Sequence, residues 1–254
     1  MRLHGRPFAV VMRTPGADRE LAAGFLLAEG VLKSADDLGT IEHCTDPSPH
    51  HPLTPSPLEN VINVTLAGRA LADLDRVLEG RRQVAGNASC GMCGRLTIES
   101  LTVQAAPLVA GRQVPIEVVM GLPERLRANQ RTFDETGGLH AAGLFGPGGE
   151  LKILAEDVGR HNAVDKVVGR MLLNDALPLS EFLLFVSGRT SFEIVQKALL
   201  AGIPIVGAVS APSSLAVELA EAAGITLLGF VRDGGCNIYA HPERIVTSAS
   251  PPRR

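Results

Sequence analysis

The stretch Phe182-Leu183-Leu184-Phe185-Val186-Ser187-Gly188-Arg189-Thr190-Ser191 decides how the chain folds. Its first five residues are all apolar, which predicts a strand that is buried on both faces. Small and polar residues follow, and Thr190-x-x-Glu193 has the spacing of a capping box that begins a helix over 190–200. A buried strand that leads directly into a helix is typical of a βα unit with a parallel sheet.

The same strand–helix pattern continues on both sides of this stretch. The flanking elements predicted from apolar periodicity are strand 151–155, helix 162–173, strand 203–209, helix 214–223 and strand 225–231. Gly202 and Gly224 stand where two of the helices should end. We therefore predict an α/β fold with a mixed or largely parallel sheet flanked by helices.

Composition argues against several classes of protein. The 254 residues are 45% hydrophobic and 4% aromatic, which fits an aliphatic α/β core. A net charge of −3 gives no reason to expect a nucleic acid or an anionic membrane as partner. No apolar run is as long as a membrane span, and residues 1–7 lack the apolar region of a signal peptide. With four cysteines, too few for a disulfide scaffold, the expected location is cytoplasmic.

The first third of the chain predicts a smaller α/β lobe. Segments 6–13 and 60–66 are expected to be strands, and 18–29 is expected to be a helix that ends at Gly30. The predicted division is a smaller N-terminal lobe over 1–80, a mobile cysteine loop over 81–95, a larger cofactor-binding domain over 96–246 and a tail over 247–254.

Ligands of open α/β sheets bind beyond the carboxyl ends of the strands, so the segments that follow the predicted strands are candidate site segments. They are rich in small, polar and basic residues, and three of them lead into helices whose N-termini offer free N–H groups. They are 156–162, with Asp157, Arg160 and His161; 187–191, with Ser187, Gly188 and Arg189; 210–214, with Ser210; and 232–235, with Arg232. Because arginine binds phosphate with two N–H groups, this edge is predicted to bind a nucleotide or a nucleotide-bearing cofactor.

Known phosphate signatures do not occur in the chain. The absence of a P-loop and of Gly-x-Gly-x-x-Gly argues against a P-loop NTPase and a dinucleotide dehydrogenase.

Several other polar residues are expected to have structural rather than functional roles. His140 begins an apolar segment and is expected to be structural, and Asp165 with Lys166 would form a surface ion pair. Cys236 is expected to pack in a final strand.

Cys90-Gly91-Met92-Cys93 is the most reactive motif of the chain, and several functions fit it. The pair could bind zinc together with residues from the group His43, Cys44, His50 and His51. The pair could instead be a redox couple, although it does not follow a predicted strand. It could also be two incidental thiols. No His-x-Glu precedes the cysteine pair, as the signature of a zinc deaminase requires. A thiolate on such a polar loop, near several arginines, could also accept sulfur as a persulfide and deliver it.

Several motifs together resemble those of the formate dehydrogenase accessory sulfurtransferases, the FdhD family. The most specific motif is Glu156-Asp157-Val158-Gly159-Arg160-His161-Asn162-Ala163-Val164-Asp165-Lys166, preceded by Ser89-Cys90-Gly91-Met92-Cys93-Gly94. Further similar segments are 20–26, 136–142, 187–193, 210–213 and 229–239, so the likeness covers nearly the whole chain. Family members usually have more residues before the first strand, so an N-terminal edge strand is expected to be missing here.

The resemblance implies a function. Such proteins take sulfur from a cysteine desulfurase as a persulfide. They transfer it to the molybdenum or tungsten bis-molybdopterin guanine dinucleotide cofactor before that cofactor enters the catalytic subunit of formate dehydrogenase. Cys90 would carry the persulfide here, and Cys93 would assist it. The family's cofactor-contact segment corresponds to Phe230-Val231-Arg232-Asp233-Gly234-Gly235, where a guanine nucleotide such as GDP could also bind.

The resemblance also implies a cytidine deaminase-like fold with a smaller N-terminal lobe, a homodimer, and no permanently bound metal. Two other functions stay open at this point. One is an escort that binds the cofactor without transferring sulfur, and the other is a zinc-dependent deaminase on the same fold.

Overall fold

The computed structural model describes residues 1–44, 60–79, 105–109, 112–232 and 234–247. The strands of these residues are β1 (Arg2–Leu3), β2 (Arg6–Pro7), β3 (Leu38–His43), β4 (Ile62–Leu66), β5 (Val114–Pro115), β6 (His140–Phe145), β7 (Leu151–Asp157), β8 (Leu183–Val186), β9 (Ile205–Ala208), β10 (Thr226–Arg232), β11 (Gly235–Ala240) and β12 (Ile245–Val246). The helices are α1 (Asp18–Ala28), α2 (Gly68–Ala72), α3 (Leu74–Glu79), α4 (Ile116–Met120), α5 (Leu122–Arg127), α6 (Arg131–Thr136), α7 (Arg160–Leu173), α8 (Phe192–Ala201) and α9 (Ser214–Ala223). In this part of the chain, no helix has the length and apolar character needed to cross a membrane.

A six-stranded mixed sheet in the order β11-β10-β9-β8-β6-β7 forms the centre of the fold. Strands β8, β9 and β10 are parallel to one another, whereas β6 is antiparallel to both β8 and β7. Strand β7 therefore runs in the same direction as β8, β9 and β10, although β6 separates it from them. The strand–helix pattern predicted this shared direction but not the insertion of β6.

Alternate residues of the central strands pack into two hydrophobic clusters, one on each face of the sheet. In β8, Leu184 and Val186 belong to the cluster that includes residues of α1, α7, α8 and α9. Leu183 and Phe185 belong to the cluster that includes residues of α4 and α5. This period of two follows from the geometry of a strand. Because helices cover both faces, the strand is apolar throughout.

A second sheet, in the order β2-β1-β4-β3, is held close to the central sheet by the packing of α1 against α7. The two helices approach closely at two glycines. A Cβ atom on Gly24 would overlap the carbonyl oxygen of Asp165, and a Cβ atom on Gly169 would overlap that of Glu20. One hydrophobic cluster includes residues of both sheets. The division into lobes at residue 80 stays a prediction.

Two local expectations from the sequence are wrong. The strand that begins at Arg6 ends at Pro7, and residues 8–14 lie outside the sheet. The residue that precedes α8 is Ser191 rather than Thr190, and its side chain does not cap the helix. Thr190 is instead buried and forms a short parallel bridge with Pro212, which ties the segment after β8 to the segment after β9.

Candidate functional site

The segments that the sequence predicted as a site meet at one edge of the central sheet. Strands β7, β8, β9 and β10 all end at this edge because they run in the same direction. Strand β6 runs the opposite way and begins there, where His140 is the ladder partner of Asp157. The segments after β7, β8 and β9 lead into α7, α8 and α9. This edge therefore combines three helix N-termini with Arg160, Arg189 and Arg232.

Two of the three helix N-termini at this edge lack a side-chain cap. Helix α7 begins after Gly159 and α8 begins after Ser191, and neither residue caps its helix through a side chain. In α9, by contrast, the Oγ atom of Ser213 accepts a hydrogen bond from the N–H of Ala216 at 3.2 Å. N–H groups in the first turns of α7 and α8 can therefore bind an anion.

Buried polar atoms without partners occur in these two segments. Among the described residues, they include Nε of Arg160, Oγ1 of Thr190 and Oε1 of Glu193. Arg160 is partly buried and Arg189 is exposed. Because buried polar atoms are usually hydrogen-bonded, unpartnered ones point to a water molecule or a ligand. Nε of Arg160 can donate a hydrogen bond to an anionic group, whereas Oε1 of Glu193 can only accept one, so these residues fit a ligand that has both anionic and hydrogen-donating groups.

The hydroxyl of Ser191 contacts His161 instead of capping α8. Its Oγ lies 2.7 Å from Nε2 of His161, and Oε2 of Glu193 lies 3.7 Å from the same nitrogen. The pKa of His161 is lowered to about 3, first by burial and then by the positive charges of Lys197 and Arg160. His161 is therefore neutral at physiological pH and acts as an uncharged hydrogen-bonding group. The sequence placed Ser191 in a candidate segment and Glu193 in a capping box, but it did not predict that both approach His161.

His140, which the sequence assigned to a structural role, borders the candidate site. A Cβ atom on Gly188 would lie 3.1 Å from Nδ1 of His140 and 3.8 Å from Cδ of Arg160. Gly188 therefore lets the side chains of His140 and Arg160 come close to its backbone segment. The pKa of His140 is lowered, first by burial and then by the charges of Arg160 and Arg189. The sequence places His140 at the start of an apolar segment, but only the antiparallel direction of β6 brings that start to the edge of the candidate site.

The end of β10 has an unusual backbone geometry. Phe230 has a φ of 53°, in the left-handed region that residues with side chains rarely adopt. The ladder between β10 and β11 is irregular between Gly229 and Arg232. The guanidinium of Arg232 lies 5.7 Å from the ring centre of Phe230, and the N–H of Phe230 donates a hydrogen bond to the carbonyl of Ser210 at 3.3 Å. The predicted contact segment is thus joined to the segment after β9.

The predicted ligand-binding residues differ in exposure. Val231 is fully buried in a hydrophobic cluster, whereas Arg232, Gly234 and Gly235 are exposed. Ser187 is partly buried, and its Oγ accepts a hydrogen bond from the N–H of Ala141 at 2.8 Å. The Ser187 hydroxyl therefore also joins the segment after β8 to β6. Asp233 lies outside the described residues.

The two acidic residues at the end of β7 hold neighbouring segments in place. The carboxylate of Glu156 accepts two hydrogen bonds, at 2.9 and 2.8 Å, from N–H groups in the first turn of α6. Asp157 is fully buried, forms an ion pair with Lys166 at 2.7 Å and accepts a hydrogen bond from the N–H of Thr14 at 3.1 Å. The sequence placed Asp157 at the border of the site, and its contacts give it a supporting role.

The surface ion pair expected between Asp165 and Lys166 does not form. Both residues are buried, and Lys166 pairs with Asp157. Oδ1 of Asp165 lies 2.6 Å from Nζ of Lys197, which joins α7 to α8. Burial raises the pKa of Asp165 to about 6, although Lys197 opposes this shift.

Cys90 and Cys93 lie outside the described residues, as do His50 and His51. Cys44 and Cys236 are free, and burial raises the pKa of the Cys236 thiol. The partly buried Cys236 packs against a hydrophobic cluster, in agreement with its expected packing role. Within the described ranges, no group of three or more His, Cys, Asp or Glu residues could hold a metal ion.

Comparison with known proteins gives consistent matches over nearly the whole chain. Residues 1–246 match the model of the FdhD/NarQ family. A protein from Streptomyces avermitilis named sulfur carrier protein FdhD is 49% identical over 257 residues, which cover 98% of this chain and 87% of that protein. A protein of the same name from Anaeromyxobacter dehalogenans is 50% identical, with 96% and 85% covered.

The likeness extends to an archaeal relative and to a solved structure. The sulfur carrier protein FdhD of Saccharolobus solfataricus is 46% identical, with 94% of this chain and 83% of that protein covered. A crystal structure of a formate dehydrogenase accessory protein from Desulfotalea psychrophila superposes with a TM-score of 0.71 at 28% identity. The match covers 96% of this chain and 86% of that one. The mixed α/β architecture is therefore shared with that accessory protein.

Proposed function

The chain belongs to the FdhD/NarQ family, and on this basis we propose that it is a sulfur carrier for the maturation of formate dehydrogenase. The observation that carries the proposal is the 49% identity to a named sulfur carrier protein over 98% of the chain. In this proposal the chain acts in the cytoplasm, as a homodimer, as a sulfurtransferase. Its donor is a cysteine desulfurase, and the catalytic subunit of formate dehydrogenase receives the matured cofactor.

Cys90 is the proposed carrier residue. The Cys90 thiolate attacks the outer sulfur of the desulfurase persulfide, and the desulfurase thiolate leaves, so that Cys90 becomes a persulfide. The Cys93 thiolate then attacks the inner sulfur of this persulfide. A Cys90–Cys93 disulfide forms, and the electron pair of the broken S–S bond leaves with the outer sulfur as hydrosulfide. No external oxidant takes part, and a reductant restores the two thiols.

The proposed acceptor substrate is the molybdenum or tungsten bis-molybdopterin guanine dinucleotide cofactor. The proposal is supported by the edge of the central sheet, where Arg160, Arg189 and Arg232 accompany two uncapped helix N-termini. These groups suit the diphosphates of a guanine dinucleotide. Within the segment from Phe230 to Gly235, the exposed Arg232, Gly234 and Gly235 would contact the same ligand, whereas Val231 is fully buried in a hydrophobic cluster. The buried Nε of Arg160 is a donor without a partner in the described chain.

The proposal is tested by restoring formate dehydrogenase activity in cells that lack their own sulfur carrier. We expect the wild-type chain to restore activity and Cys90→Ala to fail. Cys236→Ala is the matched control, since Cys236 is a partly buried free thiol that packs against a hydrophobic cluster. Full activity with Cys90→Ala would contradict sulfur transfer and support an escort that only binds the cofactor. Zinc bound in stoichiometric amount to the purified chain would support a metal-dependent activity instead.

A further inference from the structure

His140 has surroundings that differ from those of the other histidines the structure describes. Nε2 of His4 accepts a hydrogen bond from the backbone N–H of Leu66, and His161 contacts Ser191. His241 contacts both a carboxylate and a carbonyl oxygen, and His43 lies 3.9 Å from a carboxylate. Within the described residues, the ring of His140 has neither a hydrogen-bond partner nor a carboxylate partner.

The charged groups around His140 are mainly cationic. Arg160 of α7 lies near His140 on the other side of Gly188, since a Cβ atom on Gly188 would lie 3.1 Å from Nδ1 of His140 and 3.8 Å from Cδ of Arg160. The charges of Arg160 and of Arg189, in the segment after β8, both lower the pKa of His140, whereas the nearby His161 is neutral. Asp157 is its ladder partner on β7, but that carboxylate is already bound to Lys166. Two guanidinium groups disfavour protonation of a partly buried imidazole near them, unless an anion binds at the same place.

We propose that His140 is a phosphate-binding residue of this site and takes up a proton when a phosphate group binds beside Arg160 and Arg189. The protonated imidazole donates a hydrogen bond to a phosphate oxygen, and the proton comes from the solvent. This inference rests on the proposed function, because it assigns the phosphates of the guanine dinucleotide to this edge of the sheet.

The sign of the pH effect follows from the surrounding charges. Without ligand, burial and the two arginines hold the pKa of His140 below its usual value. A bound phosphate offsets the arginine charges and raises the pKa of His140. Between these two pKa values, binding takes up a proton, so affinity increases as the pH falls, by at most about tenfold per pH unit. Below the lower pKa, His140 is already charged and the dependence ends.

The experiment measures guanosine diphosphate binding to the full chain by titration calorimetry in buffers of different ionisation enthalpy. We expect net uptake of up to one proton per nucleotide by the wild-type chain near neutral pH. His140→Asn should abolish this uptake and weaken binding about tenfold at the lower end of the pH window, as for a hydrogen bond to a charged group. The phosphate of the nucleotide, with a pKa of about 6, also exchanges protons on binding, so the inference is tested by the difference in uptake between the wild-type chain and the variants.

His241→Asn is the matched control. His241 follows β11 at the opposite edge of the sheet and has a φ of 48°, which asparagine tolerates. Proton uptake that persists in His241→Asn and disappears in His140→Asn supports the inference. Equal uptake in both variants contradicts it, as does uptake by the wild-type chain that is no greater than that of His140→Asn. Failure of the wild-type chain to bind guanosine diphosphate at all would contradict the proposed nucleotide site as well.

Discussion

Oγ of Ser191 lies 2.7 Å from Nε2 of His161, so the residue placed to cap α8 contacts a histidine of the candidate site instead. This contact links the start of α8 to the first turn of α7. It leaves the first N–H groups of α8 available to a ligand. Helix α8 therefore has no side-chain cap at the place where an anion is proposed to bind. The bound anion would accept hydrogen bonds from the first N–H groups of α8, as a capping side chain does.

Ser191→Ala should affect ligand binding more than stability. Because Ser191 does not cap α8, its removal should lower the free energy of unfolding by about 1 kcal/mol or less, the value of one hydrogen bond. Affinity for guanosine diphosphate should fall several-fold, since His161 loses the contact that orients it. Ser213→Ala is the comparison, because it removes a true cap and should lower stability by about 1 kcal/mol. A larger loss of affinity in Ser213→Ala would contradict the assignment.

Lys197→Met should destabilise the fold in a pH-dependent manner. The change leaves the buried carboxylate of Asp165 without its partner, which costs about 3–5 kcal/mol when the carboxylate is charged. The folded-state pKa of Asp165, about 6, exceeds its unfolded value. Ionisation of Asp165 therefore lowers the free energy of unfolding as the pH rises from the unfolded pKa to the folded pKa. Without Lys197 this pKa rises further, and the destabilisation should be larger at neutral pH than in mild acid.

Urea unfolding at two pH values measures this difference. The double variant Asp165→Asn with Lys197→Met carries neither charge and should recover most of the lost stability near neutral pH. Equal destabilisation by Lys197→Met at both pH values would show that the lost contact is not electrostatic.

Gly169→Ala should destabilise the chain although alanine is the better helix former. The added Cβ atom would overlap the carbonyl oxygen of Glu20 and push α1 away from α7. Overpacking of this kind costs about 1–3 kcal/mol, against a helix-propensity gain of about 1 kcal/mol. The neighbouring exposed residue gives a control, since Arg170→Ala should change stability by less than about 0.5 kcal/mol. Thermal unfolding of both variants tests whether the close contact between α1 and α7 excludes a side chain at Gly169. A Gly169→Ala variant as stable as the wild-type chain would contradict this.

At Phe230, the usual order of stability between a glycine and an alanine substitution should be reversed. Glycine within a strand is normally less stable than alanine by about 0.5–1 kcal/mol. At a φ of 53° the order should reverse, and Phe230→Gly should be more stable than Phe230→Ala by about 1 kcal/mol. The same two substitutions at Asn237, in β11, should show the normal order. If Phe230→Ala is the more stable of its pair in urea unfolding, the backbone of Phe230 is not left-handed.

The strand–helix order of the second half of the chain could be predicted because its signals are local. Apolar runs such as Leu183–Val186 and helix-ending glycines such as Gly202 and Gly224 need no distant partner. The insertion of β6 between β8 and β7 could not be predicted, since strand order depends on pairing between distant segments. For the same reason, the sequence placed His140 in a structural role.

The candidate site was predictable in part. The common position of Arg160, Arg189 and Arg232 at one edge of the sheet was predictable, because the carboxyl ends of strands with the same direction share an edge. The partners of buried charges were not found. Lys166 pairs with Asp157 and Asp165 pairs with Lys197, although Asp165 and Lys166 are adjacent in sequence. Successive helical positions point about 100° apart, so adjacent residues contact different elements.

The central claim, that Cys90 carries sulfur, is tested most directly by mass spectrometry. The intact chain is incubated with a cysteine desulfurase and cysteine, digested, and compared before and after reduction. We predict that the peptide containing Cys90 gains the mass of at least one sulfur atom, that reductant removes it, and that Cys90→Ala shows no such gain. Sulfur uptake by Cys90→Ala equal to that of the wild-type chain would contradict the claim.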